Sequence, residues 1–274
     1  MIWHYDGTFD GFLSGVFAIY QAKDSSATIT RLDEMQQSLD PALSIIDVCT
    51  DIALAQRVQN KIEDISHELM RTLYKAWLCE DPAIDQDLLF YIRLALRTDS
   101  NPKDRLYYDD VRRVHNAAHK VGTDAYHHLQ FIRFVPAGPR LYAADITPTY
   151  DILIMLGGAF SDRLAGQRFL IRDLVHRKTL ASEGDRFWIN DDPALLLPKL
   201  QRGDRFETMW QTYFHHIAIP ERINPRLQTQ LVPKRYRHLM TEFQRSPMSE
   251  HAVEITPPST LPHEAKPKPL LNAT

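Results

Sequence analysis

Residues 131–146 read FIRFVPAGPRLYAADI. Two apolar runs, Phe131–Val135 and Arg140–Ile146, flank Pro136-Ala137-Gly138-Pro139. Strand-forming residues on both sides of a Pro/Gly turn predict a β-hairpin. What precedes this stretch is helical in pattern. Phe9, Phe12, Leu13, Val16, Phe17 and Tyr20 recur at helical spacing, and Thr8 is placed to cap that helix. Asp51 opens a longer stripe running Ile52, Ala55, Val58, Ile62, Ile65, Leu69, Leu73 and Trp77. Pro82 suits the first turn of the next helix, and a third helix covers about residues 108–128.

Beyond the hairpin a helix is expected over 149–165. Three short strands follow at Arg168–Leu174, Lys178–Ala181 and Arg186–Asn190. Asp204 and Glu207 form a capping-box start for a helix carrying Phe206, Met209, Trp210, Tyr213 and Phe214. Ile2–Tyr5 reads as a short strand, and residues 24–50 as loops and short elements. The fold class is therefore α+β, helix-rich, with a small, mainly antiparallel sheet. Strands this short and close are not expected to form a run of parallel crossovers. Residues 1–245 form a single α+β domain, or two tightly packed lobes split near residue 128. Six of the seventeen prolines fall in 246–274, where a disordered tail is expected.

Composition narrows the function. The 274 residues are 44% apolar and 24% charged, with 32 Lys and Arg against 35 Asp and Glu. A net charge of −3 excludes a histone-like binder but leaves room for a local basic face. Two cysteines, Cys49 and Cys79, form no CxxC, so neither a cysteine-held iron–sulfur cluster nor a four-cysteine zinc site is expected within the chain. The spacing of His115 and His119 would let both meet one metal, but no HExxH occurs and no metal or cofactor is expected. P-loop, GxGxxG and GxSxG patterns are missing. No signal peptide or long apolar span is recognised, so the expected location is cytoplasmic.

Four segments together carry a resemblance. They are Tyr5 to Leu13 (YDGTFDGFL), Phe131 to Phe134 (FIRF), Pro148 to Arg163, and Trp210 to Glu242. The last is the most specific and reads W-x2-YF-x2-I-x-I-x-ER-x-NP-x2-Q-x4-P-x-RY-x2-L-x2-E. They resemble a bacterial family of DNA-metabolism and DNA-repair proteins of undefined activity, a domain of unknown function. Its members are encoded beside a radical-SAM repair protein, and a related domain is fused to uracil-DNA-glycosylase-like proteins. The resemblance spans roughly residues 1–243 in order. It implies DNA metabolism, DNA, intact or damaged, as a partner, and a radical-SAM protein as a second. Members often carry Glu-x-His where this chain has Asp124 and Tyr126, an acid where it has Thr149, and a His where it has Ala159.

The residues divide between chemistry and structure as follows. Asp6 stands at a strand-to-helix junction, as an acid/base or as a turn carboxylate. Arg133 meets phosphate or pairs with a core carboxylate such as Asp145. Arg222, Arg226, Lys234, Arg235, Arg237 and Arg245 crowd the last segment, interleaved with Tyr213, Phe214, Tyr236 and Phe243. That mixture suits a nucleic-acid groove, because cations hold the backbone and rings stack on bases. The first expectation is an accessory DNA-repair protein that binds DNA or presents it to a radical-SAM partner. Arg133, Arg163, Arg222 and Arg235 would contact phosphate, with Tyr236 stacking. The alternatives are a glycosylase- or lyase-like enzyme using Asp6, Asp145 or Asp151, and a protein–protein adaptor without DNA contact.

Overall fold

The computed structural model describes residues 1–31, 44–184, 186–196, 200 and 205–244. Asp204, Arg245 and the proline-rich segment 246–274 lie outside these described residues.

The chain opens with a β-α-β unit. Strand β1 (Ile2–Tyr5) leads into helix α1 (Phe9–Ala22) and then strand β2 (Thr28–Arg31). Strand β3 (Ile45–Asp47) pairs on the other side of β1, giving the order β2-β1-β3, parallel throughout. The elements expected only loosely in 24–50 thus include two strands of a parallel sheet. A 14-residue helix between β1 and β2 supplies the crossover that parallel pairing needs. Gly15 of α1 is what allows the close approach: a Cβ there would come 2.8 Å from Ile29 Cδ1 of β2.

The stripe expected as one helix is broken. Helix α2 (Ile52–Ile65) ends and α3 (His67–Trp77) begins at Ser66, whose backbone is extended. Ser66 Oγ accepts from Leu69 N, so a residue that favours caps over helix interiors divides the run. Helix α4 (Ala83–Thr98) starts after Pro82, and α5 (Asp109–Phe131) runs for 23 residues. Gln86 of α4 covers the edge of β2, accepting from Ile29 N and donating to the Ala27 carbonyl.

The second sheet has five strands in sequence order. They are β4 (Val135–Gly138), β5 (Leu141–Ile146), β6 (Arg168–Asp173), β7 (Lys178–Glu183) and β8 (Arg186–Asn190). Three of its pairings are antiparallel hairpins. The fourth, β5 with β6, is parallel and is connected through helix α6 (Leu153–Arg163). The expectation of a small, mainly antiparallel sheet therefore fits in part: this five-stranded sheet is mainly antiparallel with one parallel pair, and the fold also holds a second, parallel sheet. The strands are short, but a single 11-residue helix suffices to return the chain. The hairpin also starts later than expected, because Phe131 completes α5 and β4 begins at Val135. After the sheet come α7 (Arg205–Ile217) and α8 (Pro225–Leu231), then a 3₁₀ turn over Lys234–Leu239.

Apolar burial falls into two clusters. One gathers β1, β2 and α1 to α4 with Val111, Val114 and Ala118 of α5. The other gathers β5 to β7, α6 and Leu239 with Val121, Ala125 and Phe131 of α5.

Inside the first cluster lies a buried ionic network. Arg31 forks onto Asp85, with Nε and Nη2 between 3.1 and 3.2 Å from the carboxylate. Tyr5 OH donates to Asp85 Oδ2 at 2.8 Å, and Arg31 Nη2 also donates to the Trp77 carbonyl at 3.0 Å. Arg31 and Asp85 are both buried, so each charge depends on the other. Replacement of Arg31 by Met should cost about 3–5 kcal/mol in urea unfolding, because it strands a buried carboxylate. Tyr5→Phe should cost only about 1–2 kcal/mol. Equal, small losses from both would show that the network does not hold the first cluster.

Candidate nucleic-acid interface and polar junctions

The last two turns of α5 collect residues from three distant parts of the chain. Asp124 is buried there and fully hydrogen-bonded. Its Oδ1 accepts from Tyr236 OH at 2.7 Å, and its Oδ2 accepts from Thr149 N at 2.8 Å. Burial alone would raise the Asp124 carboxyl. The His128 ring beside it and the Tyr236 hydroxyl overcome that and hold it at about 2. Tyr236 moves the other way, raised by burial and by the Asp124 charge. His128 Nδ1 donates to the Asp124 carbonyl at 2.8 Å, leaving Nε2 buried without a partner among the described residues.

Tyr236 does not offer a free stacking face. It is buried, and its ring packs against His127, His128 and Phe131 with centroids 4.7 to 5.8 Å apart. Arg235 lies over it, 4.6 Å from the ring centroid, and also donates to its hydroxyl.

Three of the four nominated arginines gather at this end of α5. Arg133 follows the helix directly, in no strand, and donates to the Gln130 and Ile132 carbonyls at 3.0 and 3.1 Å. Arg163, at the end of α6, donates to the Leu129 carbonyl at 3.3 Å. Both cations therefore sit at a helix C-terminus, where the backbone dipole favours them. Arg235 joins them through Tyr236. Arg222 stands apart and exposed, in the turn before α8. Among the described residues none of these four makes an ion pair with a carboxylate. The pairing of Arg133 with Asp145 is overturned. Asp145 is instead held by Arg172, its cross-strand neighbour, through two bonds of 2.6 and 2.9 Å.

The three carboxylates nominated for catalysis are not joined by any hydrogen bond or ion pair to one another. Asp6 accepts from Thr8 N, Thr8 Oγ1 and Thr50 Oγ1 at 2.6 to 3.0 Å. Against a raising effect of partial burial, these bonds hold its carboxyl below the usual range. Gly11 makes room for it, since a Cβ there would overlap Asp6 Oδ1. This is turn and cap chemistry. Asp151 is paired with Lys178.

That last pair belongs to a second polar junction, which the sequence reading missed. Asp173 is buried and accepts from Val175 N, His176 N and His176 Nδ1, the last at 2.6 Å. His176 Nε2 reaches to 3.5 Å from Glu80 Oε2, at the end of α3. The hydrogen bond to Asp173 raises the His176 imidazole above its ordinary value. A His oriented by a buried carboxylate can serve acid/base chemistry, but here its outer nitrogen is spent on tying α3 to the β6–β7 turn. The signal in the sequence was Asp-x-x-His between two strand runs.

His115 hydrogen-bonds Tyr91 at 2.9 Å, and no group of three or more His, Cys, Asp or Glu among the described residues is arranged to hold a metal. Cys49 is exposed, while Cys79 is half-buried. No helix among the described residues is long and apolar enough to cross a membrane.

The geometry defines an α+β protein in which the turn at 234–239 folds back onto the end of α5, the longest helix among the described residues. The sequence profile of a domain of unknown function, DUF4130, matches residues 82–242, more than half of the chain, and the chain belongs to that family. No curated protein and no solved structure matches it.

Stability should carry both titrations with opposite sign. Asp124 sits below an ordinary carboxyl, so its contribution is present above about pH 4 and is lost as pH falls toward 2. The shift corresponds to on the order of 2 kcal/mol. His176 sits above an ordinary imidazole, so its contribution is present below about pH 6.5 and is lost as pH rises through the raised value. Melting curves from pH 2 to 9 should show Asp124→Asn less stable at neutral pH with a flattened acid limb. His176→Gln should flatten the opposite side. An unchanged acid limb in Asp124→Asn would mean that Asp124 does not set it.

Proposed function

We propose that the protein binds DNA through the basic surface formed by the end of α5 and the C-terminal segment. The supporting observation is the state of the nominated cations. Arg163, Arg222 and Arg235 are exposed and Arg133 half-exposed, and no carboxylate among the described residues neutralises them. The arginines that do pair among the described residues, Arg31, Arg112, Arg113 and Arg172, are engaged with Asp85, Asp109, Asp87 and Asp145. Unpaired guanidinium groups are suited to phosphate, which they meet with displacement of counterions. In this reading the role is accessory to DNA repair, with DNA presented to a radical-SAM enzyme, as the resemblance implies. The two cysteines of this chain leave the cluster to that partner.

A second reading, a protein adaptor, is favoured by one observation. Helix α7 exposes Phe206, Met209, Trp210, Tyr213 and Ile217 along one face. Its other side is tied down by Gln211, which donates to the Thr241 carbonyl at 2.9 Å. Exposed aliphatic and aromatic residues in such a row mark contact surfaces on soluble proteins.

Fluorescence anisotropy with single- and double-stranded DNA, intact and uracil- or UV-damaged, separates the two. DNA binding should weaken steeply with salt. Arg163→Gln and Arg222→Gln should each reduce the slope of log affinity against log salt by about one. No binding at low salt would sink the DNA reading. Co-purification of a protein partner that is lost in Tyr213→Asp would then favour the adaptor.

A further inference from the structure

We propose that a pair of cation-rimmed apolar grooves beside Tyr20, on the N-terminal half of the molecule, docks an acidic amphipathic helix of another protein. The first groove lies between the end of α1 and α4 and encloses about 460 Å³. Ile19, Phe90 and Leu94 form its floor, and Lys23, Arg93 and Arg97 stand on its rim. The second, of about 200 Å³, lies between α1, α2 and α4. Val16, Phe17, Val58 and Leu96 line it, with Arg57 and Lys61 on the rim. Tyr20 lines both and is 44% exposed.

The charge around the grooves is one-sided. None of the five rim cations makes an ion pair with a carboxylate among the described residues. The single acid in the lining, Asp24, already accepts from Ser26 N and Oγ and from Trp3 Nε1. Two of the cations are also fixed in place. Arg93 donates to the Asp24 and Ser25 carbonyls at 2.8 and 3.2 Å, and the Arg57 guanidinium lies 5.0 Å from the Phe17 ring centroid. Such a rim in a chain of net charge −3 calls for carboxylates from outside.

The occupant follows from the combination. Two apolar depressions flanking one ring take side chains from successive turns of a helix, and the rim takes its acidic flanks. The stretch Val16–Lys23 is about 10 Å long at 1.5 Å per residue, enough for two turns of a bound helix. A second copy of this chain would not bring its exposed α7–α8 region here. Residues 205–244 hold six Lys and Arg against three Glu, so like charges would meet. DNA would find an aliphatic floor with one exposed ring, which is a poor stacking platform. A membrane would need several apolar groups that protrude, and of the apolar residues in this lining only Tyr20 is exposed.

The test uses the full chain and a fluorescein-labelled 16-residue helical peptide of Leu, Phe and Glu, with a matched peptide carrying Lys for every Glu. Anisotropy should show saturable binding of the Glu peptide, at least about tenfold tighter than of the Lys peptide. The double substitution Lys61→Glu and Arg97→Glu changes only exposed side chains and should leave the melting temperature unchanged while weakening binding about tenfold. Equal affinity for the two peptides, indifference to the double substitution, or no binding of the Glu peptide would each overturn the proposal. So would displacement of the peptide by a single-stranded oligothymidylate that loses affinity in the same variant, which would make the grooves a nucleic-acid site.

Discussion

Helix α5 must be buried twice along its length, and the rest of the molecule is disposed to do it. Its first half turns Val111, Val114 and Ala118 into one apolar cluster, and its second half turns Val121, Ala125 and Phe131 into another. At 1.5 Å per residue its 23 residues span about 34 Å, too far for one small core to cover. The parallel β-α-β unit with α2 to α4 covers the first half. The five-stranded sheet with α6 and the turn at 234–239 covers the second. Trp77, the last residue of α3, and Cys79 just after it pack against both clusters, and Leu78 between them belongs to the second, so the seam between the halves is crossed by more than α5. The Glu80–His176 contact crosses the same seam with charge.

Much of the helical framework was legible from periodicity, because each helix buries one stripe. Helix α4 began where Pro82 indicated, and α1 was capped by Thr8 as its position suggested. The break at Ser66 was hidden because the apolar spacing continues across it. The parallel sheet was hidden for a different reason. Strands β2 and β3 have four and three residues, too few for an alternation to emerge, and parallel partners give no turn signal. The β5–β6 pairing likewise depends on where α6 returns the chain, which no local pattern records.

The candidate site was legible in residue type and not in partnership. Whether an arginine is spent or free depends on a carboxylate far away in sequence. Arg31 meets Asp85 across 54 positions and Arg172 meets Asp145 across 27, while Arg133 and Arg163 donate to carbonyls and Arg163 also lies over the Phe160 ring. Aromatic residues divided just as unpredictably. Tyr236 lies among basic residues, as a stacking group would, yet it is consumed by the core and by Asp124. Trp210 and Tyr213, which carry the apolar pattern of an ordinary buried helix face, are left exposed.

Asp124 also bears on the positions where this chain departs from the family it resembles. Its carboxylate ties α5 to the segment after β5 through Thr149 and to the C-terminal turn through Tyr236. Thr149 contributes its backbone N–H to that tie, so the bond to Asp124 does not depend on which side chain stands there. Tyr126 is exposed, two residues along α5 from Asp124 and so turned to a different face. Ala159 is exposed on α6. Of these positions, Thr149 enters the Asp124 network, and it does so through its backbone. Tyr126 and Ala159 both lie on the exposed surface. The buried carboxylate of Asp124 thus also holds Arg235 in place, through Tyr236.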